Sequence, residues 1–501
     1  MTLLTKKPAE CLLFFIAPLI LCAFIRLWNP IGYPPLYFDE GIYIRRAINV
    51  LVTHNPQEDP YFYDHPYFGQ IFLGSIFWVT GFPKSVHPTI NSLQSVESLY
   101  LLPRVVMGIL AIIDTALIYK ISELRYGRGV AFTASTLFAV MPITTLLMRV
   151  LLENIQLPFL LASLLIADRV YQPCSHGNRK VFMIVLASGV LLGLAIFTKV
   201  PVFTMILPVG YLVLVNTKFN FKLVGVWLIP VILVPLIWPF YAISIGHFSD
   251  WLKGEYYQTH RESQTFLVSL SSYSVIDPVL FVLGMAGIVV ASVRRDYFLV
   301  LWSVPFLIFL YLIGWVLLYH FIPILPAFSV AGARLLVGFA NRIRIKRIGA
   351  ITLVLTVMGI LVFGVTTTML SIIRQVNFSY FEGISYLSNY LKSRTTGYKD
   401  NGPTIISDAI YLWIPQQVFQ LPGSYKTFYD STLSRNKPSL LILDPAFKMV
   451  LKEGDSQSYL LRSIYLSKNT VKIATIGRPM QNISIYRYLP ELHQQTLSGD
   501  R

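Results

Sequence analysis

Charge is what this sequence has least of. Of 501 residues, 13% are Asp, Glu, Lys or Arg, about half the roughly 25% of a soluble globular domain. That scarcity excludes an ordinary cytosolic enzyme and a long disordered chain. Cysteine is nearly absent: Cys11, Cys22 and Cys174 are the only three. Two of them fall in the first apolar segment, which leaves no disulfide framework and no thiolate metal site. No basic block with interleaved aromatics occurs, so nucleic acid is not an expected partner. What the chain does have is apolar residues, 54% by count, with a mean hydropathy of +0.60. It reads as a polytopic α-helical membrane protein. The net charge of +16 then fits basic cytoplasmic loops.

Eleven apolar runs approach the ~20 residues that cross a hydrocarbon core. They are 12–28, 99–121, 129–147, 152–170, 181–198, 200–216, 222–245, 276–293, 298–317, 321–340 and 348–371. The first follows Lys6 and Lys7 and shows no small-residue cleavage pattern, so it reads as a retained helix and not a signal peptide. A shorter run, 67–81, follows His65-Pro66 and reads as an interfacial or re-entrant helix. With eleven crossings, Lys6/Lys7, Arg125/Arg128, Arg179/Lys180, Lys218/Lys222, Arg294/Arg295 and the basic run 342–347 share one side. By the positive-inside rule that side is cytoplasmic. The expectation is a multi-pass cell-membrane protein with a cytoplasmic N-terminus. Residues 1–371 would be its transmembrane domain, and 29–98 a long external loop.

Residues 372–501 differ, with 15 Lys/Arg and 9 Asp/Glu in the segment. The runs 439–444, 471–476 and 483–488 read as strands, and 380–393 and parts of 446–466 as helix. A small external α/β domain is expected, carrying sequons at Asn377 and Asn482.

The external loop holds Asp39-Glu40, Glu58-Asp59 and Asp64-His65-Pro66. Asp39-Glu40 opens a helical pattern, where carboxylates suit the N-terminal dipole; a capping pair is therefore one reading. Several ionisable groups stand at the ends of the expected spans on the same face. Arg104 begins the second span, Arg149 ends the third, Glu153 opens the fourth and Lys199 ends the fifth. Tyr319-His320 lies between the ninth and tenth, and the loop 246–275 adds His260 and Arg261. Each alone has a structural reading, for instance an Arg149–Glu153 pair at i,i+4 or a snorkelling Lys199. Charge at membrane depth is costly, so their convergence on one face argues for a site.

Acids beside cations at an external interface suit an anionic substrate held next to a general base. Phosphate is the natural anion, because Arg offers a forked donor set and Lys a point charge. Sugar donors outside the cytosol must come through the bilayer, and a sugar on a polyprenyl phosphate does so. Its leaving phosphate needs only positive charge, whereas the acceptor hydroxyl needs a base, which a carboxylate supplies.

The order of these elements resembles the GT-C membrane glycosyltransferases, in particular the protein O-mannosyltransferase and aminoarabinose-transferase-like groups. The matching pieces are Asp39-Glu40 after the first span, Asp64-His65-Pro66 with Gly69, Arg104, Arg149 with Glu153, Lys199, and His320 before Pro323 and Pro326. The resemblance covers about residues 10–340. It implies a GT-C fold and an inverting transfer from a polyprenyl-phosphate sugar to a protein, lipid or glycan acceptor. Asp39 would be the catalytic base, Glu40 would orient it or bind acceptor, and Asp64 would be a second site carboxylate. Arg104, Arg149, Lys199 and His65 would bind the donor phosphate. Glu153, His260, Arg261, Tyr319 and His320 would line the substrate site. The family's His-Pro-Pro-Leu-Gly reads His-Pro-Tyr-Phe-Gly at 65–69. No Asp-x-Asp occurs in the first loop, so neither a metal nor any other cofactor is expected, although Asp39, Glu58, Asp59 and Asp64 together could hold an ion. The rival from another class is a secondary transporter or flippase of lipid-linked sugars. It predicts charge at mid-membrane and an inverted repeat; no such repeat is evident, and the ionisable groups gather at span ends.

Overall fold

A computed structural model describes residues 8–56, 63–86, 93–170, 178–261, 265–394, 403–428, 439–445, 448, 451, 459–477 and 482–489. The chain divides into two compact units: Met1–Pro30, Tyr43–Ile76 and Pro103–Ile373 form one, and Ile31–Ile42, Phe77–Leu102 and Arg374–Arg501 the other.

The first unit is helical. It is built from all or part of α1 (Pro8–Leu27), α2 (Phe38–Thr53), α3 (Phe68–Val79), α4 (Leu93–Tyr126), α5 (Arg128–Val140), α6 (Leu152–Arg169), α7 (Asn178–Thr198), α8 (Ile206–Asn216), α9 (Phe221–Ser244), α10 (Phe248–Thr259), α11 (Phe266–Ile276), α12 (Pro278–Val293), α13 (Tyr297–Ile313), α14 (Leu325–Ala340) and α15 (Lys346–Ile372). Every expected span is met by helix. Five helices among the described residues are long and apolar enough to cross a bilayer unaided, or up to seven if two bent pairs each count as one span. One pair is α5 with the 3₁₀ turn Pro142–Met148, bent by 69°; the other is α11 with α12, bent by 115°. The expected figure of eleven also counts shorter helices such as α1 and α13. The run 67–81 becomes the 12-residue α3, and α10 and α11 fill the stretch 246–275, expected as loop.

Among the described residues three 3₁₀ segments interrupt the bundle: Pro142–Met148, Val200–Met205 and Leu318–Ile324. Each contains a proline, namely Pro142, Pro201 and Pro323. Proline lacks the N–H that an α-helical turn needs and its ring crowds the preceding turn, so the chain tightens into 3₁₀ geometry there. These breaks bring polar residues into the apolar bundle.

The second unit carries a five-stranded sheet. Its strands are β1 (Thr404–Ser407), β2 (Ser424–Thr427), β3 (Ser439–Leu443), β4 (Thr470–Ile476) and β5 (Ile483–Tyr488), in the order β2-β1-β3-β5-β4. β1 pairs in parallel with β2 and β3, while β5 runs antiparallel to β3 and β4. Helices α16 (Phe378–Arg394), α17 (Ala409–Trp413) and α18 (Tyr459–Tyr465) join it. One sheet face buries Ile406, Leu441, Leu443 and Tyr488 with Leu461 and Ile464 of α18. The three expected strands are present; β1 and β2, at four residues each, were too short to show alternation. The expected helix at 380–393 is α16, and most of the stretch 446–458 lies outside the described residues. Asn377, a sequon residue, is 3% exposed. Its amide donates to Ile31 O and Pro34 O, and its oxygen accepts from Leu36 N–H. A glycan on that nitrogen is incompatible with this packing.

Candidate functional site

In the first unit the three breaks and the end of α7 meet around Glu153. Its carboxylate sits in the first turn of α6 and is 2% exposed. Its partner is Lys199, the residue that caps the second break, with Nζ 2.5 Å from Oε1. This ion pair links Glu153 to a residue 46 positions away, beyond the i,i+4 reach of Arg149. His320, in the third break, brings Nε2 to 3.9 Å from the same oxygen. The backbone N–H of Leu317 donates to His320 Nδ1 at 3.0 Å. An accepting Nδ1 leaves the ring neutral, with its proton on Nε2 facing Glu153. The ring of Tyr319 lies 5.0 Å below the Lys199 ammonium, a cation–π contact.

Asp64 and His65 stand beside this group. Asp64 Oδ1 accepts from Arg46 Nη1 at 2.8 Å, and Arg46 is 5% exposed. Burial alone would raise the Asp64 carboxyl; the Arg46 charge and hydrogen bond oppose it and bring it below the usual carboxylate range. His65 is pushed down to about 3, by burial first and then by the charge of Lys199; Asp64 opposes this, while Arg46 and Arg261 add to it. Its imidazole is neutral at physiological pH. The guanidinium of Arg261 stacks 3.8 Å above Trp315, whose ring is 5.9 Å from that of His320.

The floor under this segment is aromatic. Tyr63 is fully buried with Tyr67, Phe197, Trp238 and Ala242. Helix α10 presses on it from the side, where a Cβ on Gly254 would fall 1.9 Å from Tyr63 O. Only glycine lets α10 come so close to the backbone that leads into Asp64-His65.

Arg46, Lys199 and Arg261 thus outnumber Asp64 and Glu153 by one charge, with two neutral imidazoles among them. Cations grouped in this way raise the local concentration of anions. Arg46 was missed at the sequence level, where it was only one of two arginines after the acidic pair; nothing local tied it to Asp64, 18 positions on.

The other expected residues are held differently. Arg104 is fully buried on α4, its Nη1 donating to Pro30 O at 2.9 Å. Arg149 closes the first break, and its carbonyl accepts from Asn154 Nδ2 at 2.7 Å. His260 is exposed, stacked 4.0 Å from the ring of Tyr256. Glu58 and Asp59 lie outside the described residues. No three His, Cys, Asp or Glu side chains converge as a metal centre would require among the described residues.

In the second unit, Asp39 and Glu40 open α2. Glu40 is fully buried, and its Oε1 accepts from Tyr37 N–H at 3.0 Å, which is the capping role open to it. Asp39 is partly exposed. Behind them a Cβ on Gly41 would meet Trp413 Nε1 at 2.5 Å. Trp413 in turn donates to Tyr100 Oη at 3.1 Å. The helix start is therefore seated on an aromatic wall.

The helical bundle with its small sheet unit is similar in fold to solved structures of ArnT and of the oligosaccharyltransferase AglB. The family model for dolichyl-phosphate-mannose-protein mannosyltransferases matches residues 93–242, a stretch that contains Arg104, Arg149, Glu153 and Lys199. ArnT from Cupriavidus metallidurans, solved with undecaprenyl phosphate, is 12% identical with a TM-score of 0.54; the match covers 96% of this chain and 98% of that one. Its apo form aligns with a TM-score of 0.51 at 12% identity, over 95% and 98% of the two chains. The archaeal oligosaccharyltransferase AglB from Archaeoglobus fulgidus, solved with an inhibitory peptide and a dolichol-phosphate, is 12% identical with a TM-score of 0.50. That match covers 83% of this chain but 64% of AglB, so the chain spans under two thirds of that relative. No curated protein matches the sequence. At these identities the likeness is one of fold.

Proposed function

We propose that this protein is an integral membrane glycosyltransferase that moves a sugar from a polyprenyl-phosphate carrier to a protein, lipid or glycan acceptor at the non-cytoplasmic face. The observation that carries the reading is the cation-rich cluster of Lys199, Arg46 and Arg261 with neutral His65 and His320. It supports a role in binding the donor phosphate and in stabilising that phosphate as it leaves. The mannosyltransferase family match and the polyprenyl phosphates bound by ArnT and AglB support the same donor class. Glu153 holds Lys199 in place, and Asp64 does so for Arg46. Asp39 is the general base: it takes the acceptor hydroxyl proton as the oxygen bonds to the anomeric carbon and the carbon–phosphate oxygen bond breaks. Glu40, buried and used in capping, orients that helix start. The transfer needs no proton donor for the leaving group, because a phosphate is already a stable anion at neutral pH.

Purified protein in nanodiscs, a radiolabelled polyprenyl-phosphate sugar and membrane acceptors provide the test. Asp39→Asn should abolish transfer while donor binding persists, and Lys199→Gln should weaken donor binding at least tenfold. Normal turnover by Asp39→Asn would exclude it as base. Unchanged donor affinity in Lys199→Gln would exclude the cluster as the phosphate site.

A further inference from the structure

The sheet unit holds a second concentration of cations, which the proposed transfer does not use. A cavity of about 470 Å³ lies against the β4–β5 edge, lined by Lys448, Arg462, Tyr465, Lys472, Asn482 and Tyr486, with Ser484 and two leucines completing it. That volume lies within the roughly 300–1,000 Å³ of small-molecule sites. The sheet topology explains why these residues meet. Lys472 and Tyr486 are directly paired across β4 and β5, so they share a face. Ser484, two residues from Tyr486, lies on that face too. Arg462 and Tyr465 are three apart on α18, hence on one side of that helix, and Tyr465 and Tyr486 pack edge to face with ring centroids 5.0 Å apart.

Among the described residues the charges in it are incompletely compensated. Among the described residues no carboxylate lines the cavity, and neither Arg462 nor Lys472 has an acidic partner. Lys448 is fixed by Asn482, its Nζ donating to both the backbone and the side-chain oxygen at 2.9 Å. Burial, then the nearby Lys472 charge, pulls Lys448 below its ordinary range, and Asp444 only partly opposes this. Like charges held together without a counter-ion raise the local concentration of anions. Beside the two leucines, the rest of the lining is hydroxyl, amide and tyrosine, which suits a polyhydroxylated ring.

We propose that this cavity binds a phosphorylated sugar, with Arg462, Lys472 and Lys448 on the phosphoryl oxygens and the two tyrosines against the ring. The site stands on the sheet unit's own residues and is independent of the transferase reading. The shared chemistry has two sources, a soluble sugar phosphate and a phosphorylated-sugar lipid headgroup, and the experiment separates them.

The full chain in neutral-lipid nanodiscs is titrated by calorimetry with glucose 1-phosphate and with inorganic phosphate, alongside Arg462→Gln/Lys472→Gln, changes at a partly exposed and an exposed position. A parallel arm places phosphatidylinositol 4-phosphate in the nanodisc and follows hydrogen exchange of β4 and β5. Sugar-phosphate affinity that falls at least tenfold in the double variant supports a soluble ligand. Protection of β4–β5 by the lipid, lost in the double variant, supports a headgroup. Binding elsewhere on the chain is common to both proteins and cancels in the comparison. The proposal is overturned if neither probe distinguishes the double variant from the parent, or if inorganic phosphate binds as tightly as glucose 1-phosphate.

Discussion

Removing Lys199 should do more damage than removing Lys199 and Glu153 together. At 2.5 Å, an effective dielectric of about 20 gives roughly 6–7 kcal/mol of gross attraction between them. Desolvating two ions offsets most of that, so the net worth of the pair is modest. Breaking it is another matter. Lys199→Met takes the ammonium from a carboxylate 2% exposed, and breaking a buried pair from one side costs about 3–5 kcal/mol. The His320 Nε2 at 3.9 Å offers a partial replacement donor, which argues for the lower half of that range. Glu153→Leu/Lys199→Met removes both charges and should lie within about 2 kcal/mol of the parent. Glu153→Leu strands the ammonium in the same way and at a similar cost, so the cycle should show a coupling of about 4 kcal/mol or more, above the usual span for contacting residues. Reversible unfolding in mixed micelles, followed by circular dichroism, measures it. A coupling below about 0.5 kcal/mol, the additivity seen for independent sites, would refute the pairing on which the cluster's geometry depends.

Three further outcomes follow. His65, held at about 3 in the folded state against an ordinary 6.5, binds a proton in the unfolded chain first as pH falls. The unfolded state therefore carries more protons between those values, and stability should drop by up to about 1.4 kcal/mol per pH unit from pH 6.5 downward; His65→Asn should flatten that slope, and an unchanged slope would show that His65 is not the group titrating. Gly254→Val should displace α10 from Tyr63, because a backbone oxygen 1.9 Å away cannot yield as a side chain does; turnover should fall at least tenfold, and full activity would mean that α10 does not position the Asp64-His65 segment. Asp114, 1% exposed on α4 with neither carboxylate oxygen hydrogen-bonded among the described residues, should tolerate Asp114→Leu with a gain of about 1–3 kcal/mol, the cost of an unsatisfied buried polar group; a loss measured in the same micelles would mean that the carboxyl has a partner in the bilayer.

The sequence showed the helices well because a lipid-facing helix must be apolar along its length. That rule fails where helices break. Val200–Met205 and Leu318–Ile324 are as apolar as their neighbours, and only Pro201 and Pro323 hinted at 3₁₀ geometry. Lys199 and Glu153 were recognisable as candidates because charge is rare at membrane depth. Their pairing was not, since it spans 46 positions and the nearer Arg149 offered a local alternative. Asp114 was passed over inside an otherwise unremarked span. It stands mid-helix, against the expectation that ionisable groups gather at span ends. Asp39-Glu40 was legible as a helix start, and Glu40 does cap it. The next residue, Gly41, meets Trp413, which donates to Tyr100; both aromatics lie more than 50 positions away, and no local pattern could supply them. The sheet was legible where strands were long and alternating, and invisible where they were four residues long.

The breaks also separate two kinds of polar residue in the cluster. In hydrocarbon every backbone group needs a partner, and a 3₁₀ break leaves several without one. Side chains repair them. Gln156 Nε2 donates to Ala195 O and Lys199 O at 2.8 and 2.6 Å. Asn154 Nδ2 donates to Leu146 O and Arg149 O. Asp277, at the bend between α11 and α12, accepts from Ile143 N–H and Leu280 N–H. His320 spends Nδ1 on Leu317 N–H. These groups hold the breaks, and their hydrogen bonds are already used. Lys199 Nζ, Arg46 and Arg261 are engaged instead by the side chains of Glu153, Asp64 and Gln258, and the charges of all three act on the neutral His65. A ligand at this site meets cations whose backbone anchors are fixed before it arrives, so reorganisation on binding is small. That division also gives each residue a distinct mutational signature: Gln156→Ala should act on stability through the end of α7, whereas Arg261→Gln should act on anion affinity and leave stability nearly unchanged.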